Sequence, residues 1–188
     1  MKFYTGRGDD GTSTILGVSK RISKSDKCFE ALGAVDELNS YLGICRSLAK
    51  NKDIQSALLK AQEDLFIIQA ELGSKSNLKR PAFYGRRTSI EVLKKKKIQD
   101  LEKTIDKFGG AVGALTKFTI PGGSPLSAHL DFARAVCRRA ELTYLATRLP
   151  SGNRVAQTYL NRLSSLLFVL ARYANKKARV REKNPSYK

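Results

Sequence analysis

Apolar residues recur along this chain at helical rather than strand spacing. Leu38, Leu42, Cys45 and Ala49 follow one another at intervals of four, three and four, which predicts a helix over 26–50. A clearer stripe of Ile54, Leu58, Ala61, Leu65, Ile68 and Leu72 predicts a second helix, stopped by Gly73. Leu93, Leu101 and Ile105 mark the inward side of a third over 90–108, ended by Gly109 and Gly110. A fourth is predicted over 125–149, with Ser124 as N-cap and Pro125 in the first turn. Pro150 and Gly152 break it, and a fifth over 154–177 aligns Tyr159, Leu163, Leu166, Leu170 and Tyr173. Five long helices with modest connections predict an all-α, five-helix antiparallel bundle, a single domain over 1–188.

The segments between the stripes are polar and rich in turn formers. Residues 1–25 hold Gly, Thr, Ser and Asp without an apolar period, which predicts a Gly-rich loop with a short strand at 2–5. Residues 73–89 read as a basic loop around Pro81 and Gly85, and Phe118-Thr-Ile-Pro-Gly-Gly-Ser-Pro125 as a rigid connector. The bundle proper covers 26–177, and 178–188 read as a frayed basic tail.

Composition narrows the function classes. The apolar fraction of 41% is enough for a sizeable core, and no apolar run approaches a membrane span of about 20 residues. The polar residues 5–10 stand where a signal peptide needs its apolar stretch, so the expected location is cytoplasmic. Three distant cysteines, Cys28, Cys45 and Cys137, have no CxxC spacing and read as buried free thiols. His129 is the only histidine, which excludes a di-metal carboxylate bundle built on two Glu-x-x-His motifs. The net charge of +18 calls for anionic partners, whether nucleic acid, a membrane surface or phosphorylated substrates. Eleven Lys and Arg against four acids fall in 74–107, and six against one in 176–188.

Four segments depart from ordinary bundle sequence. Thr5-Gly-Arg-Gly-Asp-Asp-Gly-Thr-Ser-Thr14 offers backbone amides, hydroxyls and Arg7 to an anion, without the Gly-Lys-Thr/Ser of a Walker loop. Asp36 lies on a helix side crowded with Gly33, Asn39, Ser40 and Gly43, where an acid needs water or a cationic partner. Arg134, Arg138 and Glu141 fall at i, i+4 and i+7 on one helix face, with Arg139 about 100° around, and guanidinium forks match phosphate oxygens. Asn161 and Arg162 interrupt a strongly apolar helix, and a mid-helix Asn calls for a ligand or a buried partner.

Taken in order, these segments resemble the ATP:corrinoid (cobalamin) adenosyltransferases of the propanediol-utilisation type. The matching residues are Tyr4-Thr5, Gly8-Asp9, Gly11, Ser13 and Thr14, then Glu30–Ser40 and Phe118–Gly123. They continue with Ala133–Glu141, Leu160–Ser164 and Leu167–Asn175, so the likeness spans about 4–175. The resemblance implies a ferritin-like, cobalamin adenosyltransferase-like bundle assembled as a homotrimer, with active sites between subunits. It implies transfer of the 5′-deoxyadenosyl group of ATP to the cobalt of a reduced corrinoid. ATP and cobalamin are then the substrates, Mg2+ is bound mainly through ATP, and no protein metal site is implied.

Carried over by position, the resemblance gives Thr5, Gly6, Arg7 and Gly8 the nucleotide, and Ser13, Thr14 and Lys24 its phosphates. Arg138, Arg139, Glu141 and Asn161 complete the ATP site from the adjacent subunit. Asp36 and Arg134 resemble an intersubunit ion pair, and Phe118 the aromatic that displaces the lower ligand of cobalt. Asp131, Leu142 and Ser165 depart from the family's usual His, Arg and Asp. Basic patches would suit an acidic electron-donor reductase. The alternative is a basic helical nucleic-acid-binding protein, but the chain lacks a recognised nucleic-acid motif and any interleaving of aromatic with basic residues.

Overall fold

The structure is a computed structural model that describes residues 2–16, 18–74, 92–147 and 154–187. Five helices form the bundle: α1 (Lys27–Leu48), α2 (Lys52–Leu72), α3 (Lys95–Val112), α4 (Pro125–Ala146) and α5 (Arg154–Lys177). Across the bundle α2 packs on α1, α1 on α4, α4 on α5 and α5 on α3, while α2 also touches α5. The predicted basic loop falls almost wholly outside the described residues, as does the end of the fourth predicted helix.

Local chemistry sets most helix ends. The Asp26 carboxylate accepts from the Cys28 amide at 2.9 Å to open α1. Asn51 accepts from Asp53 and Ile54 to open α2, and Ser124 caps α4 ahead of Pro125. The apolar stripes meet in one core, where Leu38, Leu42, Leu58, Leu65, Leu130, Leu163 and Leu166 are fully buried. Each such leucine contributes roughly 1.5–3 kcal/mol relative to an exposed one. All three cysteines are free and buried, and burial pushes the Cys45 thiol up to about 12.

Helix α3 differs from its expected span at both ends. It begins at Lys95 rather than at residue 90, after extended residues 92–94, and no side chain caps it. Lys94, Lys95 and Lys96 are exposed at this end, where the helix dipole gives them no support. The next, Lys97, turns inward to buried Asp64 at 2.6 Å. Asp64 also accepts from the Tyr159 hydroxyl at 2.9 Å; burial first, then that carboxylate, raises the tyrosine well above its ordinary value. At the other end α3 runs through Gly109 and Gly110 to Val112, because buried Phe108 packs edge-on against Tyr173 and anchors the last turns.

Two further expectations change. No strand forms at 2–5; instead β1 (Thr12–Ser13) pairs antiparallel with β2 (Ile22–Ser23). The tail does not fray after residue 178. It reverses at Arg179 and runs back along the 118–123 connector, where the Ile120 amide donates to the Lys183 carbonyl at 2.8 Å.

Candidate active site

The Gly-rich loop is organised by a residue that sequence reasoning missed. Arg21 donates from Nε to the Thr12 hydroxyl at 2.6 Å and from Nη2 to the Thr12 carbonyl at 2.8 Å. It also donates to the Arg7 carbonyl and lies 3.3 Å from the Asp10 carboxylate. Bonds from the Thr12 hydroxyl and amide, with Arg21 adding to them, hold the Asp10 carboxyl below its ordinary value. Lys24 reaches back to donate to the Gly8 carbonyl at 2.7 Å. A Cβ at Gly8 would stand 2.9 Å from the Lys24 amine, so glycine is what admits that close approach. Thr5, Gly6, Arg7, Gly8, Ser13, Thr14 and Lys24 therefore share one small hairpin, anchored to the end of α2 by the Leu16 amide bonding the Gly73 carbonyl at 2.9 Å. A lone arginine in an aperiodic loop gives no sequence signal of its own.

On α4 the charged residues have different partners. Arg139 pairs with Glu37 of α1, both about half exposed. Glu141 accepts from Asn161 at 3.0 Å, and Asn161 accepts from Arg162 at 3.1 Å. Arg162 in turn donates to Glu102 of α3 at 2.9 Å, so the polar residues in apolar α5 are satisfied by a chain crossing three helices. Arg138 is exposed, and half-buried Arg134 keeps a buried Nε without a hydrogen-bond partner. Asp36 is exposed on α1 and accepts from Gln69 at 3.0 Å; it forms no ion pair with Arg134 of the same chain among the described residues.

A cavity of about 760 Å³ joins α4 to the connector, with Phe118, Lys117, Arg134, Arg138, Ser165 and Phe168 on its walls. Phe118 is 81% exposed, so its ring is presented to the opening rather than spent in the core. The connector behind it is fixed by buried polar groups. Asp131 accepts from the Gly122 amide at 3.0 Å and pairs with Arg172, which also donates to Thr119. Asn175 accepts from the Ser124 amide and donates to the Gly122 carbonyl, each at 2.8 Å. A Cβ on Gly123 would lie 2.5 Å from Asn175, and its φ of +105° is one that side chains rarely adopt. Two guanidiniums beside an exposed ring suit a ligand with a flat apolar face and an anionic part.

Within one chain, then, the candidate residues form two groups. The loop and its hydroxyls lie beside the start of α1 and the end of α2, whereas Arg134, Arg138 and Phe118 line the connector cavity. No group of three His, Cys, Asp or Glu among the described residues is placed to hold a metal ion. No described helix is long and apolar enough to cross a membrane.

Comparison with known proteins gives consistent matches. A family model for cobalamin adenosyltransferase matches residues 3–174. The corrinoid adenosyltransferase PduO of Citrobacter freundii is 41% identical over 92% of this chain, which spans only 49% of that longer relative. A second corrinoid adenosyltransferase of Citrobacter freundii is 37% identical and covered over 93% of its length. Among solved structures, a variant PduO-type ATP:corrinoid adenosyltransferase from Lactobacillus reuteri, complexed with cobalamin and ATP, superposes with a TM-score of 0.84. The two are 32% identical, over 98% of this chain and 99% of that one. None of these matches supports the nucleic-acid-binding alternative.

Proposed function

The chain belongs to the cobalamin adenosyltransferase family, and from that membership we propose that it transfers the 5′-deoxyadenosyl group of ATP to the cobalt of a reduced corrinoid. The observation that carries this reading is the cavity where Phe118 faces Arg134 and Arg138. Cobalt(I) supplies the electron pair for a bond to the 5′ carbon as the carbon–oxygen bond to triphosphate breaks. The products are adenosylcobalamin and triphosphate. The corrinoid is the nucleophile, so the protein's task is to align carbon, cobalt and leaving oxygen and to neutralise the leaving charge.

Arg138 and Arg139 are assigned to the triphosphate, with Glu141 and Asn161 completing the nucleotide site from one subunit. Thr5, Gly6, Arg7, Gly8, Ser13, Thr14 and Lys24 wrap it from the neighbour. One cation–phosphate contact at about 4 Å and an effective dielectric near 20 is worth on the order of 4 kcal/mol before desolvation. Mg2+ enters on the phosphate oxygens of ATP, a reading that suits a chain without a carboxylate cluster among its described residues. Phe118 takes the lower face of the corrin and keeps water and the lower ligand from cobalt.

A homotrimer unites the two groups of site residues. Supporting it are the unpartnered Arg134 Nε, the exposed Asp36, and exposed apolar residues Ile44, Phe66, Phe132 and Leu142. An Asp36–Arg134 pair between subunits would satisfy a group that costs about 1–3 kcal/mol when buried alone. Free buried thiols suit a cytoplasmic enzyme, and the basic surface suits an acidic electron-donor reductase. The test is direct: mix the protein with ATP, Mg2+ and chemically reduced cobalamin and follow the visible spectrum. Formation of adenosylcobalamin is expected, and its absence overturns the reading.

A further inference from the structure

The C-terminal segment carries six basic residues and one acid, and the acid is turned inward. Glu182 accepts from Asn175 Nδ2 at 2.8 Å and pairs with Arg172 Nε at 3.0 Å. Those are the same two buried side chains that hold the connector through Thr119, Gly122 and Ser124. Just beyond Glu182 the chain adds one backbone bond and one side-chain bond to the connector. Asn184 donates to the Phe118 carbonyl at 2.7 Å, and the Lys183 carbonyl takes the Ile120 amide. Phe118 is thus fixed at its own carbonyl and two residues later by a segment more than sixty residues away.

The reversal that delivers this segment is itself strained. Arg179 has φ +56°, the one positive φ outside glycine among the described residues. A side chain is rarely held there and persists only where its surroundings over-determine it. The Val180 amide bonding the Asn175 carbonyl at 3.0 Å closes the turn, and the Glu182 contacts hold the residues beyond it.

We infer that residues 179–184 form a strap that fixes the Phe118 connector, with Glu182 as a positioning residue for corrinoid chemistry. This rests on the role proposed above for Phe118. The strap touches the connector and not the Gly-rich hairpin in the bonds described, so it acts on the corrinoid half of the reaction and leaves ATP binding alone.

The chain has no tryptophan, so Phe118→Trp places a single fluorescent reporter at the strapped position. In that background, Glu182→Gln, Asn184→Ala and a stop after Ala178 should each lower the anisotropy of the introduced indole. In the otherwise natural chain the same changes should lower kcat for adenosylation about tenfold, as sub-ångström to ångström misplacement does. The ATP Kd should stay within about twofold. Added to Phe118→Ala, Glu182→Gln should cause no further loss, because it acts through that ring. Asn184→Ala removes one exposed bond and keeps the test sound if the stop variant unfolds. Unchanged anisotropy in all three variants, or losses that multiply with Phe118→Ala, overturn the strap. A natural chain that makes no adenosylcobalamin while anisotropy still falls overturns the proposed reaction instead and leaves the strap standing.

Discussion

The Gly-rich hairpin and the Phe118 connector are both short, glycine-bearing and exposed, but they are held in opposite ways. Most of the hairpin's bonds are local: Arg21 and Lys24 return to residues 7, 8, 10 and 12, all within sixteen positions, while the Leu16 amide reaches the Gly73 carbonyl. The connector's bonds come from α4, α5 and the tail, through Asp131, Arg172, Asn175 and Asn184. A locally bonded, solvated loop opens at low free energy and suits a ligand that must enter and leave. A turn fixed by buried, desolvated charge is rigid and suits an aromatic that must hold one place against a metal centre.

The sharpest way to break this comparison is Arg172→Ala. It leaves Asp131 buried without its cation, so a loss of about 3–5 kcal/mol in urea unfolding is expected. A variant as stable as the parent would show that the connector is not held from beneath. Next, alanine at the two close-packed glycines separates the regions. Gly123→Ala meets Asn175 at positive φ and should cost about 1–3 kcal/mol with loss of adenosylation. Gly8→Ala meets only the movable end of Lys24 and should stay within about 1 kcal/mol, while weakening ATP binding. Equal stability losses would erase the distinction.

Arg21→Ala tests the hairpin alone. Its ion pair with Asp10 is exposed, so stability should change by less than about 1 kcal/mol while the KM for ATP rises and corrinoid binding holds. A parallel rise in both KM values would join the two regions again. The smallest effect is pH-dependent. Asp10 has a depressed pKa in the folded hairpin, so its bonds are fully present above the ordinary carboxylate value of 3.8. They are lost only as pH falls through the lower folded value. The Thr12 amide resonance should therefore titrate below the range of a free aspartate; titration at or above it would show that Asp10 and Thr12 do not meet in solution.

Helices α1, α2 and α5 are legible in the sequence because burying one face of a helix imposes a period on nearby residues, and α4 through its cap and breakers. Ser124-Pro125 and Gly73 are legible because caps are local chemistry. The start of α3 is not, since Leu93 fits the period yet lies before the helix, and the lysines after it oppose the dipole. Asn161 stands out as an Asn in an apolar run, but spacing alone groups its partner Glu141 with Arg134 and Arg138 instead. Arg172 and Asn175 lie within a recognised motif and still show no role in the sequence, because their partners on α4 and the connector are 41 to 53 residues away.

By itself the sequence determined the helical class, the single bundle, the family resemblance and the residue types that could meet ATP and a corrinoid. These follow from periodicity, local capping and motif order, all of which act over a few residues. Only the tertiary structure decided that Arg21 ties the hairpin, that Asp131 faces inward to Arg172, and that the basic tail turns its one acid onto Arg172 and Asn175. Those contacts depend on desolvated charges finding each other across the fold, and no spacing along the chain encodes that meeting.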